Sequence, residues 1–188
     1  MMMKKSTISI TKTLGFTLVE IMVVVSIISV LVSVTLISLN GVRANSRDAK
    51  RFNDLKQVEV ALELYRQTNN QYPNTNGLWQ TVCKYGADPV PRDVTGPAGY
   101  IPNLAPDFIR ELPIDPSGCV RKGAFGGYIY VSNGTEYKFS ADWTSESGLA
   151  CKSGKRLWDP LRGEGGMART SGERREFCSV YTPGAALW

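Results

Sequence analysis

A chain of 188 residues without a single histidine can build neither a Ser-His nor a Cys-His nucleophile pair, and no histidine metal site. Its net charge of +5 is concentrated at one end. Lys4, Lys5 and Lys12 supply three of those charges, and the balance of about +2 gives no argument for nucleic-acid binding.

From Thr13 to Val42 the only charged side chain is Glu20. A helix from Phe16 to Leu39 would be roughly 36 Å long, enough to cross the hydrocarbon core of a bilayer. The upstream lysines favour a cytoplasmic N-terminus. A cleaved secretory signal does not fit: the apolar run is far longer than an h-region, and Gly41-Val42-Arg43-Ala44 is a poor small-x-small site. Glu20 has two readings. A carboxylate near the end of a spanning helix either has a functional partner or reaches for headgroup water. Ser26, Ser29, Ser33 and Ser38 either allow close helix–helix approach or bond their own backbone.

The order Gly15-Phe16-Thr17-Leu18-Val19-Glu20, after a basic leader and before a long apolar helix, resembles the processing site of type IV pilins and type II secretion pseudopilins. The resemblance covers residues 12–66 and thins beyond. It implies that a prepilin peptidase cuts after Gly15 and N-methylates Phe16. It further implies that Glu20 meets the new amine of a neighbouring subunit during assembly. The physics is coherent, because an unpaired ammonium and an unpaired carboxylate are each unfavourable in lipid, and pairing them across two subunits sets the axial register. One departure stands out. Where the family often has a Pro, this chain reads Thr35-Leu36-Ile37, so local unwinding in a filament would fall on Asn40-Gly41.

Residues 43–68 continue as an amphipathic helix. Phe52, Leu55, Val58, Leu62 and Tyr65 recur every three or four positions and mark one buried stripe. Arg43, Arg47, Lys50 and Arg51 crowd its first turns, against the orientation that the leader sets. They read as a solvated face, with lipid headgroups or acidic faces of other subunits as the functional alternative. Asn69-Asn70-Gln71-Tyr72-Pro73 ends the helix. A short helix is expected over Leu78–Cys83, then a loop rich in Pro and Gly. Leu112-Pro113-Ile114-Asp115-Pro116 resembles the turn that precedes the sheet in many pseudopilins.

Alternation in Tyr128–Ser132 and Thr135–Trp143 about Asn133-Gly134 predicts a β-hairpin with a tight turn, one face packed on the helix stripe. After Trp143 the pattern fades. Lys152, Lys155, Arg156, Arg162, Arg169, Arg174 and Arg175 are offset by Asp159, Glu164, Glu173 and Glu176. The segment reads as a solvated, disulfide-tethered loop, and nucleic acid is left open as a partner.

Cys83, Cys119, Cys151 and Cys178 all follow the apolar helix, on the oxidising side of the expected topology, and an even count there reads as two disulfides. Of the three pairings, 83–119 with 151–178 closes one local loop each and is the one expected. A zinc site lacks both a C-x-x-C pair and histidine. Major pseudopilins can hold calcium near the sheet; Asp142, Glu146 and Asp159 are the carboxylates in reach, but no EF-hand or paired spacing is present. Neither metal nor cofactor is assigned.

These readings combine into an α+β, pilin-like fold: a long N-terminal helix, half transmembrane and half amphipathic, packed on a small antiparallel sheet with disulfide-tethered loops. The expected divisions are a leader (1–15), a membrane or filament-core helix (16–39), an amphipathic helix (40–70) and an extracytoplasmic domain (71–188). The resemblance implies a non-enzymatic subunit of a type IV pilus or pseudopilus. Before assembly it would be single-pass in the inner membrane, and afterwards part of a periplasmic or surface filament. Its partners would be the peptidase, the assembly machinery and other subunits. The competing class is a membrane-anchored binding domain or enzyme that never polymerises.

Overall fold

The computed structural model describes residues 15–83, 92–119, 127–142, 151, 156–161 and 177–188, with the backbone alone at 34–40 and 142. Helix α1 runs from Leu18 to Asn69. Strands follow at Gln80–Thr81 (β1), Gly127–Ser132 (β2), Tyr137–Asp142 (β3) and Cys178–Tyr181 (β4), then a 3-10 turn at Pro183–Ala185. The chain divides into two compact units, Met1–Gly41 and Val42–Trp188.

In the first unit every described side chain from Phe16 to Ser33 is exposed. The hydroxyls of Ser26, Ser29 and Ser33 donate to the carbonyls of Val23, Val25 and Ser29, each at 2.7 Å. They therefore satisfy themselves within their own helix. Among the described residues no helix is long and apolar enough to cross a membrane; side chains of α1 are described to Ser33 and again from Gly41.

In the second unit, the four strands pair antiparallel in the order β1-β2-β3-β4. The register Tyr128↔Ala141, Tyr130↔Phe139 and Ser132↔Tyr137 sets the aromatic side chains on one face, as period-2 geometry requires. That face meets the helix. Leu55, Val58, Ala61 and Leu62 are buried in one cluster with Tyr128, Tyr130, Tyr137, Phe139 and Val180, while Phe52 and Tyr65 pack at its margin. Three of the buried phenols find an acceptor inside the domain, as burial of a hydroxyl demands. Tyr128 donates to Asp54 (2.8 Å), Tyr130 to the Pro73 carbonyl (2.9 Å) and Tyr100 to the Pro113 carbonyl (2.8 Å).

The structure departs from the sequence expectations in two places. Leu78–Cys83 is not a helix: Gln80 and Thr81 pair with Tyr130 and Ile129 as an edge strand. The hairpin turn is not a two-residue Asn-Gly turn. Residues 133–136 all lie in the loop, where Asn133 Oδ1 accepts from the amides of Thr135 and Glu136 and Gly134 takes φ +92°, a region open to glycine. The second face of the sheet is covered as well. Ile129, Val131, Lys138, Ser140 and Ser179 are all buried, and Asp159 and the C-terminal turn meet Lys138 and Ser179 there.

Candidate assembly site

Gly15, Phe16 and Thr17 precede the helix in irregular backbone. No atom lies within 4 Å of where a Gly15 Cβ would stand, and Phe16 is 85% exposed. Among the described residues, Gly15 and Phe16 thus stand clear of the helix that begins at Leu18.

Thr17 and Glu20 form a reciprocal helix cap. The Glu20 amide donates to Thr17 Oγ1 at 3.2 Å. In return the Thr17 amide and hydroxyl donate to Glu20 Oε2 at 2.8 and 2.7 Å. With Leu18 as the first helical residue, this is a Thr-x-x-Glu capping box at the N-cap and third position. The carboxylate also lies at the positive end of the helix dipole. Within a single chain Glu20 therefore has partners already, a capping role that neither the functional-partner nor the headgroup-water reading included. The signal was present in sequence, as a Thr three residues ahead of an acid at the head of an apolar run.

Four basic residues open the amphipathic half, and the structure separates them. Arg51 is 3% exposed, which corrects its reading as part of a solvated face. Its Nε and Nη2 donate to the two oxygens of Asp115 (2.7 and 3.0 Å), Nη1 to Asp48 (2.6 Å) and Nη2 also to Ser117 (2.7 Å). This forked pairing fastens the Leu112–Pro116 turn to the helix. The disulfide between Cys83 and Cys119, with Cα atoms 5.3 Å apart, closes the same corner. There Gly127 adopts φ +95°, and a Cβ would stand 3.3 Å from Cys83 Sγ. Arg43 and Lys50 are exposed, and Arg47 is half-buried. Lys50 Nζ lies 4.0 Å from Asp54 and 3.5 Å from the Ile114 carbonyl. Burial raises the pKa of the Asp54 carboxyl, against the Tyr128 hydrogen bond and the Lys50 charge that lower it.

A second buried ionic centre lies on the far face of the sheet. Lys138 and Asp159 are both fully buried and 2.9 Å apart. The ammonium also donates to the carbonyls of Ala186 and Trp188, each at 3.1 Å, so all three of its donors are used. Asp159 accepts in addition from the Leu161 amide and the Ser179 hydroxyl. Of the carboxylates weighed for calcium, Asp159 is thereby engaged by a lysine, while Glu146 and the Asp142 side chain lie outside the described residues. Among the described residues no group of three or more His, Cys, Asp or Glu could hold a metal ion. A second disulfide joins Cys151 to Cys178. Arg156 pairs with Glu59 of the helix; the other basic residues of 152–175 lie outside the described residues.

The Prokaryotic N-terminal methylation motif matches residues 10–36, a span that contains Gly15, Phe16 and the Thr17–Glu20 cap. The type II secretion system core protein G of Aeromonas hydrophila is 35% identical over 133 residues, covering 68% of this chain and 87% of that protein. Its counterpart in Escherichia coli K12 is 33% identical over 131 residues, covering 65% and 81%. The chain belongs to the type II secretion system core protein G family. A further core protein G, from Pectobacterium carotovorum, is 39% identical over 105 residues, of which the match takes in 62% of that protein and 55% of this chain. No solved structure matches the chain significantly. The α+β fold, the N-terminal helix and the two disulfides of this chain are accordingly those of a pseudopilin.

Proposed function

We propose that the chain is a structural subunit of a type II secretion pseudopilus, cut after Gly15 by a prepilin peptidase, methylated at Phe16 and polymerised through its N-terminal helix. The observation that carries this reading is the state of the helix between Leu18 and Ser33. Its described side chains are Val, Ile, Leu, Met and Ser with one acid, and all of them face outward. Such a surface is stable only against lipid or other helices. Before assembly the subunit holds residues 16–39 in the inner membrane with its domain on the periplasmic side. On extraction those apolar surfaces pack together at the centre of the filament. The family membership supports this course, and the oxidised cysteines suit the compartment.

In this scheme Glu20 changes partner. Removal of the leader leaves an ammonium at Phe16, and the Glu20 carboxylate of an adjacent subunit is its natural counter-ion in a dry interface. The test is co-expression with a type II secretion machinery and recovery of sheared filaments. The native chain is expected to yield filaments. A Glu20→Gln chain retains the capping geometry, since Gln serves at the same position of a capping box, yet lacks the charge; it is expected to lose at least ten-fold in filament. Equal recovery would refute the charge-pairing step, and no filament from the native chain would return the protein to the class of anchored, non-polymerising domains.

A further inference from the structure

We propose that the ammonium of Lys138 is a built-in cation, seated in an oxygen cradle that ties the C-terminal turn to the sheet, so that this corner of the domain is held without calcium. The inference concerns the Val42–Trp188 unit alone and stands apart from the filament reading.

The first argument is the donor set. Around Lys138 Nζ stand Asp159 Oδ1 at 2.9 Å and the backbone oxygens of Ala186 and Trp188 at 3.1 Å each. They come from 21, 48 and 50 residues further along the chain. The Tyr181 ring lies beside them, its centroid 5.6 Å from the ammonium, and its face attracts positive charge. A carboxylate with two backbone oxygens is the kind of donor set that hard cations take. Here a side chain of the same domain supplies the cation.

The second argument is fit. Three oxygens at these distances match the three N–H groups of an ammonium in number and in length. Calcium takes six to eight oxygens at about 2.3–2.6 Å, so the cradle is too wide for it and, among the described residues, too sparse. Asp159 is also fixed from behind. Its Oδ1 accepts from the Leu161 amide at 3.0 Å and its Oδ2 from the Ser179 hydroxyl at 2.8 Å, and that hydroxyl lies 2.7 Å from the hydroxyl of Ser140. Turning the carboxylate toward a metal would strand these buried groups, which is costly.

The third argument is what the cradle holds. The 3-10 turn Pro183–Ala185 has three residues, and so short a helix has little stability of its own. Its local bonds run from the Ala185 amide to Thr182 and from the Trp188 amide to Ala185, at 2.9 and 3.2 Å. Leu187 is 73% exposed and adds little packing. The ammonium reaches in from β3 and gives two carbonyls of this segment a charged donor.

The test is hydrogen–deuterium exchange on the full chain in detergent, read by mass over the C-terminal turn. The native chain should exchange its Ala185 and Trp188 amides at one rate in millimolar calcium and in excess EDTA. Lys138→Ala deletes the ammonium with most of its stem. It should exchange those amides about ten-fold faster or more, because they lose a buried anchor, while the Leu55–Leu62 amides keep their rate. Propylammonium, which replaces the deleted atoms, should restore the protection, and n-propanol, of similar length without the charge, should not. If Lys138→Ala fails to fold, Lys138→Met keeps the apolar stem and is read in its place, with the same loosening of the turn expected in calcium and EDTA alike. A native turn that calcium protects would overturn the proposal. So would a turn that stays protected in the variant, that propylammonium leaves loose, or that n-propanol restores equally well.

Discussion

Arg51 shows how a single side chain can join two stretches of sequence that local patterns leave apart. It spends its donors on Asp48, Asp115 and Ser117, so truncating it leaves two buried carboxylates without a counter-charge. Breaking such a centre typically costs about 3–5 kcal/mol. Arg51→Met is accordingly expected to lower the unfolding free energy by about that amount in a urea titration, and a loss under about 1 kcal/mol would show that water or a rearranged partner reaches the acids. Asp54 makes a different prediction. Its carboxyl titrates above the ordinary value of 3.8 because burial disfavours the charge. The folded state thus holds this proton more tightly than the unfolded state does, and stability from Asp54 is lost as pH rises from 3.8 through the folded pKa. Asp54→Asn keeps an acceptor for Tyr128 while removing the titration. The variant should show a flatter stability profile across that window and equal or greater stability at neutral pH. A steeper profile would contradict the sign. Neither role was legible in sequence, since a charge among charges on a helix reads as a solvated face, and only the partner 64 residues away changes that. The Gly15-to-Glu20 order was legible, because a local motif needs no tertiary partner to be recognised.

At the scale of elements, the parts that could be read are those with internal periodicity. The stripe from Phe52 to Tyr65 repeats at helical spacing, and the same residues meet the sheet. The alternation of Tyr128, Tyr130 and Ser132 with Tyr137, Phe139 and Ala141 defined the hairpin, and the register pairs them. β1 is two residues long, too short for any period to declare itself. β4 follows a stretch of glycines and charges, and its pairing with β3 spans some forty residues of sequence. Lys138 is the instructive case. A lysine between Tyr137 and Phe139 marks the face that pattern alone would leave wet, yet Asp159 and the C-terminal turn enclose it and replace water with a carboxylate and two backbone oxygens. Lys138→Met should cost about 3–5 kcal/mol because it strands Asp159. Pairing it with Asp159→Leu should recover part of that loss, so the two substitutions will be non-additive in a double-mutant cycle. Additive effects would mean that the pair does not couple.

At the scale of the whole molecule, the two units have opposite characters. Val42–Trp188 encloses a core bounded by two buried ionic centres and two disulfides, whereas the described side chains of Met1–Gly41 have no interior of their own. A chain built in this way needs other surfaces to complete it, and membership in the core protein G family is consistent with a filament supplying them. In the function proposed above, the Gly15–Phe16 bond is the processing site whose cleavage readies this helix for assembly. The most direct measurement is mass spectrometry of the mature N-terminus from the native host, beside a Gly15→Ala variant. The expected result is a chain that begins at N-methylated Phe16 and a variant that keeps its leader. An uncut, unmethylated N-terminus in the native protein would contradict it.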